Sequence, residues 1–242
     1  MSKKIVSVKA FVEGSFLELL KSTFKDNLCS VMIYGSYVSG NFVEGVSDVN
    51  ILIILEEPLF EQIEKFGAVA HKSIKNYKIT PLILTKAEFV NSADVFPMEY
   101  FDIKERKKVI HGEDETLALS LTKKNLRHQL EDRLRGNVAS LRQIVIASHG
   151  KDKILSNNLK NLFGSLNAPF KGLLRLKENT PESEGMEKTV EKIGEVFQLD
   201  TKPFLDFIKF RKGGELNPKT LAENILVSLK NLVTIVDKMD IK

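Results

Sequence analysis

Val31-Met-Ile-Tyr-Gly-Ser-Tyr-Val-Ser-Gly-Asn-Phe-Val-Glu-Gly-Val-Ser-Asp-Val-Asn-Ile-Leu-Ile-Ile54 is the stretch whose reading decides the fold. The apolar run Leu28 to Tyr34 has strand length, and Gly35-Ser36 breaks it. A polar, glycine-dotted loop runs on to Ser47. Asp48 then leads a second run, Val49 to Leu55, which is apolar on both faces as a central strand would be. Asp48 and Asn50 alternate with Val49, so their side chains leave one face of the sheet together.

Upstream, Val8, Phe11, Phe16, Leu19, Leu20 and Phe24 recur at helical intervals and predict an amphipathic helix over residues 6–25. Downstream, Pro58 stops the second strand and opens a helix over residues 59–76. Residues 78–85 predict a third strand, which Pro81 weakens or pushes to an edge. Residues 86–92 read as a short helix, and 98–109 as another extended segment ending at His111-Gly112.

The order of helix, strand, Gly-Ser, loop, Ser-Asp-x-Asn, strand and crossover helix resembles the polymerase-β-type nucleotidyltransferase superfamily. That family's signature is an apolar strand, Gly-Ser, a loop, and Asp-x-Asp leading a second apolar strand. The likeness covers roughly the first half of the chain. It implies a mixed sheet with flanking helices that transfers a nucleoside monophosphate from an NTP, with ATP expected, to an acceptor hydroxyl using Mg²⁺. It assigns Gly35, Ser36 and Ser47 to the nucleotide. Glycine has no Cβ to keep a triphosphate away, and a serine donates its hydroxyl and N–H to phosphate oxygens. It assigns Asp48 and residue 50 to a metal pair that stabilises in-line attack on the α-phosphorus. A third carboxylate on a later strand activates the incoming hydroxyl.

Two departures stand out. Position 50 is Asn, so a full negative charge is missing where Mg²⁺ needs hard, charged oxygens. A single ion held by Asp48 and the nucleotide phosphates is still conceivable chemistry. The strand at 78–84 carries no carboxylate, which leaves Glu99 or Asp102 for the third position. On a regular strand their spacing of three sets them on opposite faces, so at most one fits. Two functions therefore stay open: a transferase of reduced activity, and an inactive nucleotide-binding or partner-binding module on the same fold. A third reading, plain turn chemistry around Gly-Ser and Asp, ignores the order of the elements.

From Lys123 the character changes. Leu126, Leu130, Leu134, Val138, Leu141 and Val145 make one helical stripe, and Leu221, Ile225, Leu229, Leu232 and Val236 another. Between them, helices are predicted near 155–166, 169–176, 185–197 and 202–210, and the last runs over 218–239; Thr180 to Gly185 is the most loop-like stretch. The fold class is thus α+β, with a nucleotidyltransferase-like domain at 1–120 and an all-α bundle at 121–242. Arg127, Arg133, Arg135 and Arg142 stud the first long helix of this half. In two-domain members of the family the helical domain closes one side of the nucleotide cleft, which gives such arginines access to phosphates. Arg142 and His149, seven apart and so on one helical face, have a spacing like that of HEPN ribonucleases; His149 before Gly150 also suits a helix C-terminus.

Composition sets the outer bounds. The chain has 242 residues, 43% hydrophobic and 28% charged, which suits one or two globular domains and excludes wholesale disorder. Cys29 is the only cysteine, so an internal disulfide or cysteine-rich zinc site is impossible. No apolar run reaches the ~20 residues of a membrane helix, and no signal-peptide core follows the basic start. The expectation is a cytoplasmic protein without a membrane partner. Residues 1–120 carry 14 Lys+Arg against 17 Asp+Glu, a net of −3, while 121–242 carry 22 against 15, a net of +7. The helical half supplies a positive field for a polyphosphate or acidic partner. No aromatic-basic stripe marks direct nucleic-acid binding. The acceptor, a small molecule or protein, is not legible, and a homodimer through the helical half is conceivable.

Overall fold

The computed structural model describes residues 7–40, 42–44, 47–177 and 185–241. Most of the loop-like stretch at 180–185 therefore lies outside the described residues. The chain divides into two compact units: residues up to Ala93 with Tyr100–Ser120, and Asp94–Glu99 with the chain from Leu121 onward.

The first unit is built on four strands, β1 (Leu28–Tyr34), β2 (Val49–Leu55), β3 (Ile79–Thr85) and β4 (Lys107–His111), in the order β3-β2-β1-β4. β1 runs antiparallel to both β2 and β4, and β2 is parallel to β3. A parallel pair needs a crossover, and α3 (Phe60–Tyr77) supplies it. Pro81 sits on edge strand β3, where its missing N–H costs no ladder bond on the open side.

The predicted first helix is present in three pieces, α1 (Val8–Ala10), a π-helical turn at Phe11–Phe16 and α2 (Leu17–Phe24). Its apolar residues Val12, Phe16, Leu20 and Phe24 pack with Val31, Ile33, Val49, Ile51, Ile53 and Phe66 in one buried cluster. Burying such side chains is worth roughly 1.5–3 kcal/mol each, and this anchors the β1-β2 hairpin on its helix layer. α4 (Lys86–Asn91) opens on a capping box: Thr85 Oγ1 accepts the Glu88 N–H, and Glu88 accepts the Thr85 N–H.

The extended reading of 98–109 is corrected. Residues 97–105 form helix α5 (Pro97–Glu105), and only Lys107–His111 is strand. Buried Met98 and Tyr100 flank exposed Glu99 and imitate a two-residue period, which buried Ile103 breaks. Proline at the first helical position with an acidic first turn was the overlooked start signal.

Beyond β4, Asp114 accepts hydrogen bonds from the Thr116 hydroxyl (2.6 Å) and amide (3.0 Å) and pairs with Lys107 at 3.1 Å. Burial pushes its pKa up, but these partners outweigh burial and hold it below the ordinary value. Its stabilisation is therefore full above the unfolded pKa of about 3.9 and fades as pH falls through the native value. Asp114→Asn is expected to cost about 1 kcal/mol at pH 7 and less at pH 2, read as the difference in urea midpoints.

The second unit is helical: α6 (Lys123–Ala147), α7 (Asp152–Leu162), α8 (Asn167–Lys177), α9 (Met186–Phe197), α10 (Lys202–Arg211) and α11 (Pro218–Asp237). Its centre is α6 against α11, with Leu126, Leu130, Leu134 and Leu141 facing Leu221, Ile225, Leu229, Leu232 and Val236 in the core. Val145 does not join the stripe and is 44% exposed. His149 has φ +49 and lies past the end of α6, so the expected shared helical face with Arg142 does not exist.

Candidate nucleotide site

The end of β1 and the start of β2 meet through the pair Tyr34↔Asn50. Gly35 turns the chain out of the strand with φ +81, and Gly35–Tyr37 form one tight helical turn. Val38 and Ser39 amides close this turn on the Gly35 carbonyl at 3.1 and 3.2 Å. A Cβ at Gly35 would stand 2.9 Å from the Asn50 side-chain nitrogen. Glycine is required twice over, by the left-handed backbone and by the Asn50 amide lying against its α-carbon.

Ser36 is half-buried on the turn, and its carbonyl accepts from the Ser39 hydroxyl at 3.3 Å. Ser47 closes the connecting loop: its Oγ accepts the Val43 N–H at 3.1 Å, and its own N–H donates to the Val43 carbonyl at 2.8 Å. Asn41, Gly45 and Val46 of that loop lie outside the described residues. Asp48 is exposed, Val49 is fully buried and Asn50 is half-buried. The alternation therefore points Val49 into the helix-backed core and residues 48 and 50 away from it.

Parallel pairing sets Asn50 beside Thr80 of β3. Neighbouring strands lie about 4.8 Å apart, and residues in register share a face. Thr80 is exposed and occupies the strand position nearest to residue 50 on the crossover side. The sequence reading missed it, since only the register identifies it. At the entrance of β2 and across from it on β3, the side chains of Asp48, Asn50 and Thr80 offer one carboxylate, one amide and one hydroxyl.

Glu99 and Asp102 both sit on α5, so the expectation that they flank a strand falls. On a helix, a spacing of three sets residues on neighbouring positions of one side. Glu99 belongs to the second unit, where it accepts from Gln129 Nε2 at 2.8 Å and lies 3.8 Å from Arg133. Asp102 belongs to the first unit. Among the described residues, no three His, Cys, Asp or Glu side chains converge as a metal site. This donor set does not fit the Mg²⁺ pair that the family resemblance implies.

The arginines of α6 are largely engaged within their own unit. Arg127 and Arg135 both pair with Glu131, at 3.1 and 2.8 Å, and Arg135 also approaches Asp237 at 3.6 Å. The Arg135 hydrogen bond is the main cause that holds the Glu131 carboxyl below its ordinary pKa. No described helix is long and apolar enough to cross a membrane.

Comparison with known proteins agrees with this architecture. Residues 14–110 match the family model of the nucleotidyltransferase domain. Among solved structures, the chain is similar to spectinomycin adenyltransferase AAD(9) from Enterococcus faecialis with ATP and spectinomycin, at a TM-score of 0.58 and 13% identity, covering 96% of this chain and 100% of that one. At that identity the likeness concerns the fold. Comparison with curated proteins gives no match. Residues 14–110 thus resemble a nucleotidyltransferase domain, and the chain as a whole shares the fold of an adenyltransferase, with a helical region after the sheet.

Proposed function

We propose that the chain binds a nucleoside triphosphate, with ATP the expected one, on the Gly35-Ser36 turn, and that it acts mainly as a nucleotide-binding module with strongly reduced transferase activity. The observation that carries this reading is the pairing of a preserved phosphate turn with a depleted donor set. Gly35 keeps its left-handed backbone, while Asn50 and Thr80 stand where metal chemistry needs charge. The neighbour of similar fold is described with ATP, which supports a nucleotide as the ligand of this fold. A neutral amide and hydroxyl bind hard cations weakly, so Asp48 alone gives little drive to activate an acceptor hydroxyl. Ser36 is the residue suited to donate to phosphate oxygens, and Ser47 fixes the loop that follows the turn.

A second reading keeps the full reaction: transfer of a nucleoside monophosphate to the hydroxyl of a small-molecule or protein acceptor with Mg²⁺. Asp48, Asn50 and Asp102, all of the first unit, would then form the site. The exposed carboxylate of Asp48 at the entrance of β2 favours it.

Calorimetry with ATP separates binding from turnover. Wild type is expected to bind ATP, and Gly35→Ala to weaken that binding at least about tenfold, because the added methyl displaces Asn50 and strains the turn by roughly 1–3 kcal/mol. Equal binding by folded wild type and Gly35→Ala would remove the turn as the nucleotide site. Rapid Mg²⁺-dependent pyrophosphate release by wild type, abolished by Asp48→Ala, would decide for the second reading.

A further inference from the structure

Within the second unit, a cavity of about 330 Å³ opens between α6 and α11, a size in the range of small-ligand pockets. α6 lines it with Arg135, Val138, Ala139 and Arg142, and α11 with Lys230 and Val233. Steps of three and four put each set on one face of its helix. Val138 is buried and Val233 half-buried, so they form an apolar floor, while Arg142 and Lys230 are exposed at its rim. Thr234 also lines the cavity, but its hydroxyl donates to the Lys230 carbonyl at 3.0 Å and so serves the helix.

The packing of the two helices brings Arg142 and Lys230 level with each other. Arg127 Nη1 donates to the Val236 carbonyl at 3.3 Å, and Arg135 approaches Asp237 at 3.6 Å, so the start of α6 lies beside the end of α11. The helices pack along their length in opposite directions. Arg142 follows Arg135 by seven residues, and Lys230 precedes Asp237 by seven, two turns in each case. Packed helices lie about 8–10 Å apart, so both long side chains reach over one cavity.

Their charges differ from the others on α6. Arg135 is answered by Glu131 at 2.8 Å and by Asp237. Among the described residues, the side chains of Arg142 and Lys230 make no ion pair or hydrogen bond. No Asp or Glu lines the cavity. Two like charges over an apolar floor repel each other, and the low-dielectric wall strengthens their field. An anion answers both. A bare inorganic anion leaves Val138 and Val233 wet, and a neutral apolar molecule leaves the cations unanswered. A second copy docking the same face brings the same cations, which disfavours that occupant. A carboxylate matches the planar guanidinium fork, and a hydrocarbon body matches the floor.

We propose that this cavity binds a small organic carboxylate with an apolar body, its carboxylate at Arg142 and Lys230 and its body on Val138, Ala139 and Val233. The site lies wholly in the helical unit and does not rest on nucleotide binding.

Cinnamate tests it on the full chain, with valine methyls labelled for NMR. Cinnamate is expected to shift the Val138 and Val233 methyls saturably in the millimolar range. Cinnamamide, neutral and of nearly the same shape, is expected to bind at least about tenfold more weakly. Arg142→Gln combined with Lys230→Gln weakens cinnamate by a similar factor, and raising NaCl from about 0.02 M to about 0.3 M weakens it about threefold. Ala139→Phe, at an exposed position, fills the groove and abolishes the shifts. Absence of a saturable shift overturns the proposal. So does equal binding of cinnamate and cinnamamide, or unchanged cinnamate binding in the folded double variant. Inorganic phosphate shifting the same methyls as tightly as cinnamate overturns the apolar body, and tighter binding of hexaglutamate makes the groove a peptide site instead. A dimer in sedimentation that Ala139→Phe dissociates gives the face to a second copy and overturns the proposal too.

Discussion

Asn50→Asp combined with Thr80→Asp raises Mg²⁺-dependent pyrophosphate release from ATP by about two orders of magnitude over wild type. The expectation follows from charge and register. Asp48 and residue 50 share a face of β2, and residue 80 lies beside residue 50 across the parallel β2-β3 pair. The two substitutions turn one carboxylate into three at neighbouring positions. Metal ions held there supply several kcal/mol of transition-state charge stabilisation, and each 1.36 kcal/mol is a factor of ten. Asn50→Asp alone restores the Asp-x-Asp pair and gives a smaller gain. Asp48→Asn in the double variant cancels the gain. Equal melting temperatures confirm that all forms are folded. A folded double variant without metal-dependent turnover would show that charge depletion around Gly35 is not what limits the chemistry, and the reading of Thr80 would fall with it.

Gly112→Ala is expected to have the largest effect on stability in the first unit. Gly112 follows β4 with φ +68, and an added Cβ would overlap the Cys29 carbonyl oxygen while standing 3.0 Å from the Cys29 carbonyl carbon and the Ser30 α-carbon. All three atoms are backbone, so no side chain can swing aside. The crowding has a local cause. β1 shifts register between Leu28 and Ser30 against β2, and the Ser30 hydroxyl ties it to the carbonyls of His111 (3.2 Å) and Glu113 (2.7 Å). Left-handed strain plus the displaced strand edge amount to at least about 4 kcal/mol. Differential scanning calorimetry should show the transition of the unit containing the sheet lowered by more than about 10 °C. A shift of only a degree or two would mean that β4 moves freely relative to β1.

Both predictions rest on strand register, and that marks where the sequence stopped speaking. The strands at 28–34 and 49–55 were legible to the residue, because a short apolar run bounded by Gly-Ser and by Asp has one reading. The helices of the second unit were legible within a few residues, because Leu126-Leu130-Leu134 and Leu221-Ile225-Leu229 repeat at helical period and Pro and Gly punctuate them. Residues 98–105 were not, because Met98-Glu99-Tyr100 alternates as a strand does for just long enough to hide a helix start at Pro97. Cys29, in an apolar run that suggests burial, is half-exposed, with its sulfur 3.5 Å from Glu56 Oε2. An apolar neighbourhood in sequence does not say on which side of a strand a residue emerges.

The sequence by itself determined the likeness of the N-terminal region to a nucleotidyltransferase domain, the Gly35-Ser36 turn, the place of Asp48 and the missing charge at Asn50. Each of these is local, since turn conformation and side-chain alternation are settled by neighbours a few residues away. Only the tertiary structure decided that Thr80 stands beside Asn50, that Asn50 lies against Gly35, and that Arg142 and Lys230 line one cavity. These pairings join residues 15 to 88 positions apart through strand pairing and helix packing, and the chain's local pattern carries no record of the register those pairings adopt.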